Sequence, residues 1–504
     1  MRRFVAALLF LATACGGGTS RVPDDTMSPD TASPDATVDA AVDTGVDTGP
    51  DAPPGPTWST CPEHAGALTL TEKAAYLDAL LPAQHHPDDL LRSVTLDEDG
   101  AVVTLHNLPS TGLWTAIYLA SQSLRYAVTG DPEAQANAGR AVEGLHHLTA
   151  VTGVPGLYGR SYTRPGYTYA GGTSEGPSWH ASDAPGYEGW YFNFDVSKDT
   201  MDGIMFGYGV ALEHLDDPAI LGTLRQDVAA FAKHLLDNNL QIIDWTGEVT
   251  EHGKMYHSAM DDFPGFNALL VTSWLRTALS ESGDPALEHI YYDCLMRRGD
   301  RTDCPPFDPL DIGSYINSIE VSLATYLSDC QTSYDHIDMV FHAIYPMLRR
   351  EDDSDLLGRL SEVLEQDVWN PTDPSLDPPF RVSTHSLYIF LYGGLSGKAP
   401  GDDPLLDAAI HDGVCTLRRM PHDRTDVDVP AGTQETFCLN RMGDPNAEEI
   451  IPVEERTYDN YIWRLDPYEI PPGHVAVPGY VHTGEDWLLA YWVGRYHGFI
   501  GAGM

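Results

Sequence analysis

Two kinds of apolar segment alternate along the chain. Residues 111–128 (TGLWTAIYLASQSLRYAV), 202–215 (DGIMFGYGVALEHL) and 265–279 (GFNALLVTSWLRTAL) are apolar around most of a helical circumference. Residues 132–148 (PEAQANAGRAVEGLHHL) and 218–238 (PAILGTLRQDVAAFAKHLLDN) carry one apolar stripe and one polar face. A helix apolar all round is buried, whereas one with a polar face lies outside. In the first segment Leu113, Ile117, Ala120, Leu124 and Ala127 follow the spacing of a single helical face.

Between the two kinds stands a recurring hinge. Asp131-Pro132, Asp217-Pro218 and Asp284-Pro285 each close one segment and open the next, and Asp403-Pro404 opens another. Asp suits an N-cap, and Pro suits the first helical position, where no amide donor is needed. The pattern predicts helical hairpins. It continues less cleanly through residues 316–327 with 335–350, 355–366 with 383–396, and 404–414 with 485–499. About six hairpins, with apolar helices inside and amphipathic ones outside, predict a mainly α chain folded as an (α/α)6 toroid. Irregular hinge spacing argues against a stacked solenoid. Short strands decorate it: residues 91–108 alternate around DEDG, a β-hairpin signal. Residues 155–194 and 413–483 read as long loops, which in a compact body are usually lids or walls.

The N-terminus is of another kind. Arg2 and Arg3 precede an apolar run, Phe4 to Ala14, too short to span a bilayer, which predicts an export signal over residues 1–14. The stretch LATAC resembles a bacterial lipobox, which implies cleavage before Cys15 and its lipidation. Gly16 in place of Asp points to the outer membrane or cell surface. Residues 15–57, rich in Asp, Pro, Ala and Thr, cannot bury enough apolar surface to offset chain entropy. They read as a tether reaching on the order of 35 Å, and residues 58–504 as a single domain.

The formal net charge of −45 excludes nucleic acid as a partner and disfavours strongly anionic polymers. Besides Cys15 there are six cysteines, an even number that in an exported chain predicts disulfides. The expected pairs are Cys294–Cys304, Cys415–Cys438 and Cys61–Cys330. Metal and cofactor signatures are missing. The stretch from Asp195 fails as an EF-hand because Thr200 and Phe206 occupy the Gly and Glu positions.

In hairpin number, alternation and aromatic loops, residues 90–500 resemble the six-hairpin glycosidase superfamily. That resemblance implies a cleft at one end of the barrel and an activity among glycoside hydrolases, unsaturated-uronyl hydrolases, polysaccharide lyases and sugar epimerases. If the inner helices run parallel, their N-termini meet there and bring acids with them: Asp199, Asp202, Asp261, Asp262, Asp311, Glu485 and Asp486. Glycoside hydrolysis needs one protonated and one ionised carboxyl across the bond. The expected catalytic acids are Asp199, Asp202, Asp261 and Glu485. Taken singly, each is better explained as a complement to the helix dipole than as a catalyst. Asp195 and Ser197 are the expected caps of the helix at 202–215.

Sugar rings stack on aromatic faces and pair their hydroxyls with polar groups. Arg160, Tyr162, Trp179, Trp190, Tyr191, His257, His385 and Trp487 are the expected substrate-binding residues, although loop packing explains many of the aromatics. A neutral or weakly charged glycan is the expected substrate. A lyase or epimerase would instead use His257, with Tyr256 and Arg160, to abstract a proton. A non-catalytic surface lipoprotein that binds glycan or protein is the reading from another class.

Overall fold

The computed structural model describes residues 61, 68–108, 110–171, 178–259, 264–297, 303–309, 313–323, 333–369, 385–457 and 465–504. Thirteen α-helices stand among them. In chain order these are α1 (Leu70–Leu80), α2 (Thr111–Thr129), α3 (Pro132–Ala150), α4 (Lys198–His214), α5 (Pro218–Asp237), α6 (Pro264–Ser282) and α7 (Pro285–His289). Then come α8 (Tyr315–Ser322), α9 (Tyr334–Arg350), α10 (Ser354–Val363), α11 (Ser386–Leu395), α12 (Pro404–Arg419) and α13 (Glu485–Tyr496). Residues Ala52–Met504 cluster as one compact unit. No helix of the described residues is long and apolar enough to cross a membrane.

The hinges work as their chemistry requires. Asp131, Asp217, Asp284 and Asp403 each accept a hydrogen bond from a first-turn amide, with Pro at the first helical position. Thr69 and Glu72 form a full capping box that starts α1, a helix the hydrophobic pattern did not reveal. After α7 the chain continues as a π-helical stretch, Ile290–Met296.

Helices α2, α4, α6, α9, α11 and α13 form the inner ring. Next-neighbour contacts run α2 to α4, α4 to α6, α6 to α9, α9 to α11, α11 to α13 and α13 back to α2. Around them lie α3, α5, the α7 segment, α10, α12 and α1, while α8 is an extra helix against α6 and α10. This is the (α/α)6 toroid, and its inner helices are parallel. At one end Gly112 of α2 approaches Thr200 of α4, Lys198 bonds Asn267 of α6, Phe266 packs on His336 of α9, and Tyr334 lies parallel to His385 at α11. At the other end Tyr126 bonds Asp216 just beyond α4, Arg276 bonds the Arg350 carbonyl, and Tyr496 accepts from Arg349.

Glycines explain how tightly α4 is held. A Cβ at Gly207 would lie 2.5 Å from the Ala116 carbonyl of α2, and one at Gly209 would lie 2.9 Å from Pro346 of α9. The run DGIMFGYG thus lets two inner helices approach the backbone of a third.

Strands gather at the N-terminal end of the ring because each leads into an inner helix. β1 (Val94–Leu96) and β2 (Val102–His106), the expected hairpin, precede α2. β3 (Ser161–Thr163), β4 (Tyr169–Ala170), β5 (Trp179–Ala181) and β6 (Tyr191–Asn193) precede α4, and β7 (Gln241–Ile243) and β8 (Val249–Lys254) precede α6. β9 (Cys438–Leu439), β10 (Pro445–Asn446) and β11 (Tyr480–Val481) precede α13. One sheet has the order β11-β1-β2-β4 and another β3-β6-β5. Helix α12 runs to Arg419, so the second long loop begins later than the sequence pattern placed it.

Of the expected disulfides, Cys294–Cys304 is present. The other two pairings are corrected: Cys61 joins Cys415, not Cys330, and ties the start of the domain to α12. Cys438 is therefore not bonded to Cys415; it is disulfide-bonded to a partner outside the described residues. Bracketing a loop in sequence says little about which thiols a ring of helices brings together.

Candidate functional site

The mouth is built on the first turns of the inner helices. Asp199 is half-buried in the first turn of α4. Beside it Lys198 donates to the Asn267 side chain at 3.0 Å and lies over the Phe266 ring. Burial pulls its ammonium down to about 8, partly opposed by the Asp199 charge. Across from it, burial with the charges of Arg441 and Lys198 pushes His336 down to about 3. His385 caps α11 without a side-chain bond and stacks on Tyr388 with ring centroids 3.8 Å apart. Burial, then the charge of Arg456, holds it well below the usual histidine range, and its Nδ1 has no hydrogen-bond partner. Both imidazoles are neutral at neutral pH, and the burial that keeps them so makes them weak bases.

On the far side of α2, Glu485 opens α13 and is buried. Burial and the adjacent Asp486 push its carboxyl up to about 8, against a bond from Thr483 and the charge of Arg424. Arg424 lies 3.3 Å from Asp486 and donates to the Thr483 carbonyl. Glu485 shares a helical face with Tyr496, three turns on. Tyr496 meets Arg349 of α9 and His214 of α4, so this face looks into the ring.

Asp202 lies one turn beneath Asp199 and is only 1 % exposed. The Trp274 indole donates to it at 3.3 Å. His342 of α9 stands between two carboxyls, its Nδ1 3.3 Å from Asp202 and its Nε2 3.4 Å from Asp338. Burial holds Asp202 well above the usual carboxylate range, with the indole bond opposing and the Asp199 charge adding. Burial thus favours its protonated form inside the packed ring. Sequence reasoning missed its partners. Asp335, Asp338 and His342 at i, i+3 and i+7 share one face of α9, and that spacing was the available signal.

The expected substrate-binding residues divide. Arg160 is half-buried between the starts of α2 and α4, where its carbonyl accepts from Gly112. Its Nε is buried without a hydrogen-bond partner. Tyr162 is fully buried, and its hydroxyl donates to the Asp88 carbonyl. Trp190 packs on Tyr162, Tyr187 and His147, which draws this part of the aromatic loop outward onto α3. Trp179 and Tyr191 are half-buried in β5 and β6. Trp487 is buried, donates to the Leu417 carbonyl of α12 and stacks on Tyr491, so it faces the outer ring and not the mouth.

Asp261, Asp262, Asp311 and Cys15 lie outside the described residues, as does the His257 side chain. Ser197 holds the N-cap position of α4 but makes no side-chain capping bond, and its hydroxyl pairs with that of Thr200. The Asp195 amide donates to the Asn193 side-chain oxygen, and Asp195 does not hold the cap position, which is Ser197. The buried clamp that carries the aromatic loop, Arg92 on Asp88, Asn107 and the Tyr162 carbonyl, was also missed. The cluster His289, Cys294 and Cys304 has metal-like spacing, but both thiols are in a disulfide.

No family model matches the chain, and no curated protein matches it. Among solved structures it is similar to six-hairpin glycosidase-like proteins. A sugar epimerase from a ruminal bacterium has a TM-score of 0.41 at 10 % identity, covering 85 % of this chain and 99 % of that one. An unsaturated glucuronyl hydrolase specific for heparin has a TM-score of 0.39 at 9 % identity, covering 85 % and 96 %. The GH76 alpha-mannanase of Bacteroides thetaiotaomicron has a TM-score of 0.39 at 10 % identity, covering 85 % and 94 %. The fold assignment rests on the helix contacts above.

Proposed function

We propose that this protein is a carbohydrate-active enzyme, a glycoside hydrolase working at the mouth of the toroid on a neutral or weakly charged glycan. One observation carries the reading. A carboxyl that keeps its proton to about pH 8, Glu485, and a half-buried carboxyl, Asp199, open two inner helices at the same end. Glu485 then serves as the general acid that protonates the leaving oxygen, and Asp199 as the carboxylate that activates water or attacks the sugar. Asp202, one turn deeper in the ring beside Trp274 and His342, supports Asp199 from below. In this reading the chain is exported and held at an outer membrane or cell surface through lipid on Cys15, with residues 15–57 as its tether.

The test is a polysaccharide screen with reducing-end detection on wild type, Asp199→Asn and Glu485→Gln. Loss of product in both variants supports the assignment; equal release by all three removes it. A second reading has its own observation: the Arg160 Nε, buried without a hydrogen-bond partner between the starts of α2 and α4, suits neutralising a substrate carboxylate in a lyase or epimerase. Lyase action would yield an unsaturated, ultraviolet-absorbing product, and epimerisation neither signal. A binding lipoprotein would be retarded in glycan gels and release nothing. Mass spectrometry of the mature N-terminus tests the anchor, which fails if Cys15 is retained unmodified within a longer chain.

A further inference from the structure

The hairpin of β9 and β10 leaves three large apolar side chains in solvent: Phe437 at 64 % exposure, Leu439 at 55 % and Met442 at 64 %. Exposed apolar groups gathered on one turn mark a contact surface more often than an accident of packing. The hairpin is also well fixed. Phe437 donates to the Asn446 carbonyl, Asn440 to that of Asp444, and Ile470 to that of Pro445. Cys438 is disulfide-bonded.

Beside it runs a groove of about 490 Å³. Phe437, Ile450 and Ile451 line it, together with Glu435, Glu448 and Glu449. Gln434 also lines it; its amide nitrogen donates to Glu455, and its amide oxygen is buried without a hydrogen-bond partner. The lining holds no Lys, Arg or His.

This groove adjoins the mouth. The Ile451 carbonyl accepts from Arg456 at 2.7 Å, and the charge of Arg456 acts on His385. On the hairpin, Arg441 reaches Asp335 in the first turn of α9 at 3.0 Å. The hairpin beside the groove therefore rests against the N-terminal end of α9.

We propose that the groove is a distal subsite for a neutral sugar ring of a glycan that extends out of the mouth. The inference rests on the carbohydrate reading above. Phe437 would stack under the C–H face of the ring. The three carboxylates and the Gln434 carbonyl would accept hydrogen bonds from hydroxyls. A sugar bearing a carboxylate or sulfate would be repelled by the same acids.

Affinity electrophoresis in native gels tests this without catalysis. The gels contain either a neutral polysaccharide (hydroxyethylcellulose, galactomannan, xyloglucan or laminarin) or an anionic one (polygalacturonate). Wild type and Asp199→Asn are expected to be retarded by at least one neutral polymer. Phe437→Ala should weaken that retardation about three- to tenfold, the worth of one aromatic stack. Full retardation of Phe437→Ala, retardation by polygalacturonate alone, or no retardation in any gel overturns the subsite. Reducing-end release separates the two claims. Hydrolysis by wild type with a silent Phe437→Ala sinks the subsite and spares the enzyme. Phe437-dependent retardation with no product from any polymer sinks the enzyme and spares the subsite.

Discussion

One helical turn separates Asp199 from Asp202, and the two carboxyls meet opposite surroundings. Asp199 is in the outermost turn of α4, beside Lys198 and open in part to the mouth. Asp202 is in the packed ring, bonded by Trp274 and facing His342 across from Asp338. Both sit on the α4 face that looks toward α9. The difference is position along the helix: Asp202 lies one turn deeper, held by Trp274 and His342, whereas Asp199 lies in the outermost turn. The mouth should thus govern rate, and the layer beneath should govern stability.

The sharpest way to break this division is Asp199→Asn. Activity on whatever glycan the screen identifies is expected to fall about 10²- to 10⁴-fold, with the thermal midpoint unchanged. A large drop in midpoint with activity retained would reverse the assignment of the two layers.

His342→Leu probes the lower layer. It leaves two buried carboxyls without the imidazole between them, at a cost of about 3 kcal/mol, read as a lower urea midpoint. A midpoint equal to wild type would show that the Asp202–His342–Asp338 contacts contribute nothing to folding.

Glu485 links both layers through pH. Its folded carboxyl holds a proton to about pH 8, whereas in the unfolded chain it releases it near pH 4.3, roughly the free glutamate value. The folded state therefore binds more protons across that window, and this group's stabilisation is lost as pH rises through it. Asp202, also raised, acts in the same direction. Relative to wild type, Glu485→Gln is expected to gain stability in urea titrations between pH 4.5 and 8.5. A pH-independent difference would place the Glu485 carboxyl in water.

Asp202→Asn carries the smallest effect. Asn mimics a protonated carboxyl, so a cost of about 1 kcal/mol or less is expected at pH 7. Activity should be retained. If it falls as far as in Asp199→Asn, Asp202 takes part in the chemistry and the boundary between the layers is drawn one turn too high.

Much of the scaffold was legible because its signals are local. The Asp-Pro hinges cap helices through bonds spanning two or three residues, and α2 to α6 follow apolar periodicities that burial demands. Helix α9 shows where that logic fails. It has a strong polar stripe, which the inside-outside rule assigns to the outer ring, yet it is an inner helix. Its Asp338 and His342 are buried in the ring, where Asp202 of α4 stands beside the imidazole in place of water. The aromatic loop failed for a related reason: richness in Tyr and Trp does not tell a stacking wall from a rim packed onto α3.

By itself the sequence determined the Asp-Pro caps, the apolar periodicity of α2 to α6 and the presence of acids at helix starts, since each follows from contacts within a few residues. Tertiary structure decided the rest. It set which acid is open and which is sealed, which cysteine meets Cys61, that Trp487 faces outward, and that Phe437 stands beside a groove next to the mouth. Those outcomes depend on residues hundreds of positions apart coming within a few ångströms, and burial, which sets the charge of Asp202 and Glu485, is a property of that assembly and not of any local pattern.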